Sequence, residues 1–178
     1  MKPVTLSIVS LLAGFLLLPI LVFLYLAFGR PPVAATDKPF PFEEKIVDAL
    51  LDKRLDRDAP KASPIPTTDE NLNAGAGIYQ DKCEVCHGTA DSPSAIGRTM
   101  FPIAPQFWIM ETQNGKMAMM VSDDPVGETW WKVKNGIRLT GMPAYGKILT
   151  DTQIWQVSLL LSRSSQPLPA EASHTVGR

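Results

Sequence analysis

The chain has 178 residues, 45% of them hydrophobic, and a formal net charge of −1 at pH 7. That length suits one domain of ordinary size with some chain to spare. A charge so near balance lacks the basic excess of a nucleic-acid binder, and no nucleic-acid partner is expected.

The first element is apolar. No residue from Val4 to Phe28 is charged. At roughly 1.5 Å per residue, a helix of that length crosses a hydrocarbon core of about 30 Å with some tilt. Gly14 and Pro19 are tolerable inside a membrane helix. Residues 1–28 are therefore expected to form a retained signal-anchor helix. A cleaved secretory signal is the alternative, and the small residues of "PVAATD" (32–37) would suit a cleavage site. The apolar run is longer than the usual signal core of about 7–15 residues, which favours the anchor. Both readings put the chain beyond Phe28 outside. Lys2 supports that orientation weakly and Arg30 argues slightly against it. The expected place is a bacterial inner membrane, crossed once, with the C-terminal domain on the periplasmic side.

Residues 29–68 read as a tether, stiffened by Pro31, Pro32, Pro39, Pro41, Pro60, Pro64 and Pro66. An island at 42–58 differs: Phe42, Ile46 and Leu50 fall at i, i+4 and i+8, with Val47, Leu51 and Leu55 beside them. That spacing predicts an amphipathic helix. Glu43 and Glu44 at its start and Lys53, Arg54 and Arg57 near its end suit the helix dipole. Such a helix either packs on the following domain or docks on a membrane partner, and the sequence does not choose.

A compact unit is expected over 69–166. "TTDENLNAGAGIYQDK" starts with capping residues and continues as a helix up to Cys83. A second helix covers 127–136 and ends at Gly136. A third covers 149–163, capped by Thr150 or Asp151, with Ile154, Val157, Leu160 and Leu161 on its apolar face. Turn formers dominate 88–126, where no strand is expected. Residues 167–178 read as a disordered tail.

Both cysteines and one of the two histidines lie in "DKCEVCHGT", 81–89. Two cysteines in an exported chain ordinarily suggest a disulfide. Cys83-x-x-Cys86-His87 admits three further readings. Zinc needs about four ligands, and only His174 is left to help. A thioredoxin-like redox pair needs a βαβ setting, whereas the flanks here read as helix and loop. Covalent haem attachment uses the two thiols on neighbouring vinyl groups and holds the adjacent imidazole beneath the iron, for which C-x-x-C-H is the expected signature. Haem is the favoured reading.

The opposite iron face then needs a ligand, and a methionine is the better source than a histidine in the tail. Met142 stands in "TGMPAYG", where Gly141 and Pro143 make a stiff turn able to present one thioether. Met117, Met119 and Met120 are its main rivals. Core filling is the ordinary role of any one methionine.

These motifs together resemble the class I, single-haem cytochromes c on a membrane anchor. "GAGIYQDKCEVCHG" is similar to that family's first helix, "KNGIRLTGMPAYG" to its methionine-ligand loop and "LTDTQIWQVSLLL" to its last helix, a likeness covering about 70–165. The resemblance implies an all-α class I cytochrome c fold, three main helices around a covalent haem c. It implies Cys83 and Cys86 as attachment points and His87 and Met142 as axial iron ligands. It places Tyr79, Pro105, Trp108 and Tyr145 around the haem. The family's first and last helices cross, implying Gly75 and Tyr79 against Trp155. A proline carbonyl holds the ligand imidazole, and "FPIAPQFW" offers Pro102 and Pro105.

The implied function is single-electron transfer between redox proteins in or on the membrane, without a small-molecule substrate and without catalysis. The alternatives are a fixed electron-transfer subunit of a larger membrane oxidoreductase, and a haem sensor or peroxidase, which needs an open iron. Lys132, Lys134 and Arg138 precede Met142 as a basic cluster, either ringing the haem edge or forming ordinary solvated surface. Of Trp130 and Trp131, one is expected in the core and the other over the haem or against a partner.

Overall fold

The computed structural model describes the backbone of residues 3–108, 110–113, 116–119 and 124–177, and the side chains of 10–108 and 124–177. The chain divides into two units, Met1–Pro41 and Phe42–Arg178.

In the first unit, α1 (Pro3–Phe28) runs 26 residues through Pro19, about 39 Å at 1.5 Å per residue. Its large apolar side chains are exposed all round, from Leu11 to Phe28. A helix apolar on every side needs an apolar surrounding, and Ser10–Phe28 is a candidate membrane span. The proline-rich stretch that follows is organised locally. The Asp37 carboxylate accepts hydrogen bonds from the Val33 and Ala34 amides, both at 2.9 Å, and Phe40 meets Tyr25 edge-on at 6.3 Å.

The second unit begins with α2 (Glu43–Asp58), where the amphipathic pattern predicts a helix. The expected tether of 29–68 is thus split, and 42–68 folds with the domain. Leu55 and Ala59 are buried at the C-terminal end of α2. Just beyond it the Pro60 carbonyl lies so close to Gly127 that a Cβ there would collide with it. Of the two readings of this helix, packing on the following domain is the one the buried Leu55 and Ala59 support, and proline content alone does not register that stripe.

Three helices form the frame. α3 (Asp69–Lys82) is capped by the Thr68 side chain, which accepts from the Asn71 amide at 3.3 Å. After two short helices, α4 (Glu84–His87) and α5 (Ala95–Arg98), come α6 (Val126–Asn135) and α7 (Asp151–Leu161). α7 opens with a complete capping box between Thr150 and Gln153. α3 crosses α7 at Gly75, where a side chain would collide with the Gln156 carbonyl and crowd Leu160. Glycine is needed there for close approach.

The crossing differs in register from the expected pairing. Tyr79 packs edge-on against Trp108 at 5.4 Å, while Trp155 stacks on Trp130 of α6 at 5.1 Å. Gly75 instead faces the peptide one residue beyond Trp155, so the indole turns toward α6. Trp155 is buried. Trp155→Ala therefore should cost about 3–5 kcal/mol, read as the shift in a chemical denaturation midpoint. A change below about 0.5 kcal/mol would mean the stack carries no load.

Two further differences from expectation stand out. Met110–Gln113 (β1) and Lys116–Met119 (β2) form an antiparallel hairpin in the region where no strand was expected, with Gln113 opposite Lys116. The dipeptide between them, Asn114-Gly115, is a strong hairpin signal. The tail is not a disordered segment either. α8 (Ala170–Thr175) follows Pro169, with Ala172 and Val176 completely buried. Asn73 of α3 fixes it by donating to Glu171 at 2.7 Å and accepting from the Ala172 amide at 3.1 Å. Two small apolar contacts and this double hydrogen bond outweigh an otherwise polar composition.

Candidate functional site

The end of α3 delivers Cys83, whose amide bonds the Tyr79 carbonyl at 2.8 Å, and the single turn of α4 then carries Cys86 and His87. Neither cysteine is in a disulfide. Burial pushes the Cys83 thiol up to about 12, with Cys86 and Asp81 adding to it. A redox dithiol needs a depressed value instead. No group of three His, Cys, Asp or Glu side chains suited to a metal occurs among the described residues, so zinc lacks its ligands there.

The imidazole of His87 is fixed on two sides. Its Nδ1 lies 2.7 Å from the Pro105 carbonyl. A carbonyl only accepts, so Nδ1 carries the proton and Nε2 keeps a free lone pair. Between the two prolines the sequence offered, the structure selects Pro105. Phe107 stacks on the ring at 4.5 Å, tilted by 16°. Burial lowers the His87 pKa and outweighs the Pro105 bond, which raises it, so the ring is held in its neutral, ligating form.

Cys83, Cys86 and His87 open onto one cavity of about 390 Å³, within the usual range of ligand pockets. Met142 lines the same cavity, as do Pro105, Phe107 and Tyr145. The Met142 turn is held by its own hydrogen bonds: the Met142 amide donates to Thr140 Oγ1 at 3.1 Å, and its carbonyl accepts from the Ile137 amide at 3.3 Å. Tyr145 donates to the Lys82 carbonyl at 2.7 Å, tying this loop to the end of α3. A second thioether, Met100, also lines the cavity and packs beside Gly141. The rivals Met117, Met119 and Met120 lie outside the described side chains. Two thiols, one imidazole with a free Nε2, thioethers and largely apolar walls fit a covalently held haem.

Residues 70–159 match the family described as cytochrome c oxidase, cbb3-type, subunit III. The chain belongs to this family. It is a c-type cytochrome, with a domain that binds haem c covalently and transfers electrons. No curated protein and no solved structure matches the chain.

Other sequence-predicted residues fall elsewhere. Tyr79 and Trp108, expected around the haem, do not line the cavity. They form the core behind it, and the Tyr79 hydroxyl is engaged in donating to the Gly88 carbonyl at 2.6 Å. The basic cluster is largely neutralised: Lys132 pairs with Asp124 at 2.5 Å and Lys134 with Asp151 at 2.9 Å, leaving Arg138 exposed. Trp130 belongs with Trp155, and Trp131 faces Arg54 of α2 at 6.0 Å.

Gln106 is the residue that sequence reasoning missed. It is 1% exposed, and its amide saturates the loop. Nε2 donates to the Cys86 carbonyl at 3.0 Å and the Ala104 carbonyl at 2.9 Å, while Oε1 accepts from the Ser94 amide at 2.7 Å. It clamps the Cys86–His87 turn to the loop carrying Pro105. A glutamine between Pro105 and two aromatic residues was the available signal. Gln106→Ala leaves buried partners unpaired and should destabilise by about 1–3 kcal/mol. Gln106→Glu should also lose stability, because a carboxylate offers no donor to the two carbonyls. Thermal melts of the haem-loaded protein check both.

Proposed function

We propose that the chain is a single-haem electron carrier tethered by α1 to a bacterial inner membrane, its domain facing the periplasm and exchanging electrons with membrane redox proteins. The observation that carries this reading is the convergence of Cys83, Cys86, His87 and Met142 on one cavity. Haem, when bound, supplies an iron that cycles between ferric and ferrous states. The chain's own residues do the rest. Cys83 and Cys86 would hold the group, and the His87 Nε2 and Met142 sulfur, which line the same cavity, would be its iron ligands. A haem ligated by both side chains would offer a substrate no place on its iron, and thioether ligation would raise its potential. That arrangement disfavours a sensor or peroxidase.

A second reading has its own support. The matched family is described as a subunit of a cbb3-type oxidase, and a fixed place in a larger oxidoreductase would use the same haem chemistry. Mild detergent extraction followed by size separation distinguishes them: a carrier runs alone, a subunit runs with its complex.

The haem reading itself is tested by extraction. Acidified organic solvent should leave the colour on the denatured chain. Replacing Cys83 or Cys86 by serine should leave at most one thioether and sharply reduce mature protein. Colour passing wholly into the solvent from the unsubstituted protein would overturn covalent attachment.

A further inference from the structure

The family match begins at residue 70, yet the cavity does not end with the matched residues. Leu51 of α2 lines it, as do Asp124, Thr129 and Lys132. Its position is not incidental. Leu55, one turn on, is 3% exposed, and Ala59 is buried one turn further. The Pro60 carbonyl seats against Gly127 at the start of α6, and the Arg54 guanidinium lies over Trp131 on the same helix. α2 is thus held along α6 by a buried stripe, with Leu51 at the level of the cavity.

We propose that α2 is a wall of the haem cavity, with Leu51 as a positioning residue that limits water access to it and so raises the reduction potential. This deepens the haem reading above and rests on it. The physical reason is charge. The oxidised state carries one more positive charge than the reduced state, so water near the iron favours oxidation, and an apolar wall disfavours it. The same contact gives the segment between the candidate span and the cytochrome domain a second role. It is part of the cofactor's surroundings, and disturbing it alters the haem site directly.

The test uses the full chain in detergent, loaded with haem, and compares Leu51→Asn with Leu50→Asn. The two positions are adjacent on α2, but Leu50 is 64% exposed. In a spectroelectrochemical titration Leu51→Asn should shift the midpoint to lower potential, and Leu50→Asn should not. Leu51→Val, which removes one methylene and keeps the stripe apolar, should shift it less in the same direction. It also decides the matter if Leu51→Asn does not mature. Leu51 variants with the unsubstituted midpoint, or a Leu50→Asn shift as large as that of Leu51→Asn, overturn the wall. A protein whose colour is extracted by acidified solvent overturns the haem reading and the wall with it; a covalently loaded protein with silent Leu51 overturns the wall alone.

Discussion

Met142→Ala should abolish the weak near-infrared band that a sulfur–iron bond gives in the ferric protein, lower the midpoint potential and admit carbon monoxide to the reduced protein. Thioether ligation favours the ferrous state, and its loss leaves a coordination place that water or carbon monoxide can take. Covalent attachment through Cys83 and Cys86 is untouched, so haem content should stay near that of the unsubstituted protein. Met100 is the necessary control, because it too lines the cavity. Its side chain packs beside Gly141, adjacent to Met142, where it buttresses the loop. Met100→Ala should therefore keep the band while lowering stability by less than the about 2–5 kcal/mol of a fully buried methionine, because its side chain is only half-buried. Retention of the band in Met142→Ala and its loss in Met100→Ala would exchange the two assignments.

The parts of this site that were legible in the sequence are those fixed by short spacing. Cys83, Cys86 and His87 occupy one turn, so their identity and separation already specify where each side chain can reach. Thr150 or Asp151 was expected to cap the last helix, and Thr150 does so, in a capping box with Gln153. Gly75 was recognisable as a place of close approach, but its partner was not. Whether α3 meets Trp155 or the peptide after it depends on helix rotation set by the Trp130–Trp155 stack, a contact between different helices. Gln106 and Phe107 were invisible for a related reason. Their roles arise from a loop brought against Cys86 and His87 by tertiary folding, and no local periodicity announces them.

Composition misled in two places. A count of prolines assigned 29–68 to a tether, while the amphipathic spacing at 42–58 left open the packing on the domain that the buried Leu55 and Ala59 show. A polar tail hid α8, which needs only Ala172, Val176 and the Asn73 side chain to dock. In both cases a few well-placed side chains decided the outcome against the average of the segment.

Removing residues 1–41 and removing residues 1–68 should give different proteins. The first cut falls at the division between the two units and takes the candidate membrane span while sparing α2. The product should be soluble and keep the haem spectrum, potential and melting temperature of the full chain. The second cut takes Leu51 from the cavity wall, Leu55 and Ala59 from the core, and the Thr68 cap from α3. Losing a buried leucine costs about 1.5–3 kcal/mol, and losing a cap costs about 1 kcal/mol. A loss of roughly 2.5–4 kcal/mol lowers the melting temperature by several degrees in a domain of this size. Both fragments should deliver electrons poorly to membrane partners at native abundance. The tether sets the local concentration of the domain at those partners, and soluble protein must make it up in excess. Equal melting temperatures for the two fragments would show that α2 is outside the cooperative unit. Full membrane turnover by the 1–41 deletion at native abundance would remove the need for the anchor altogether.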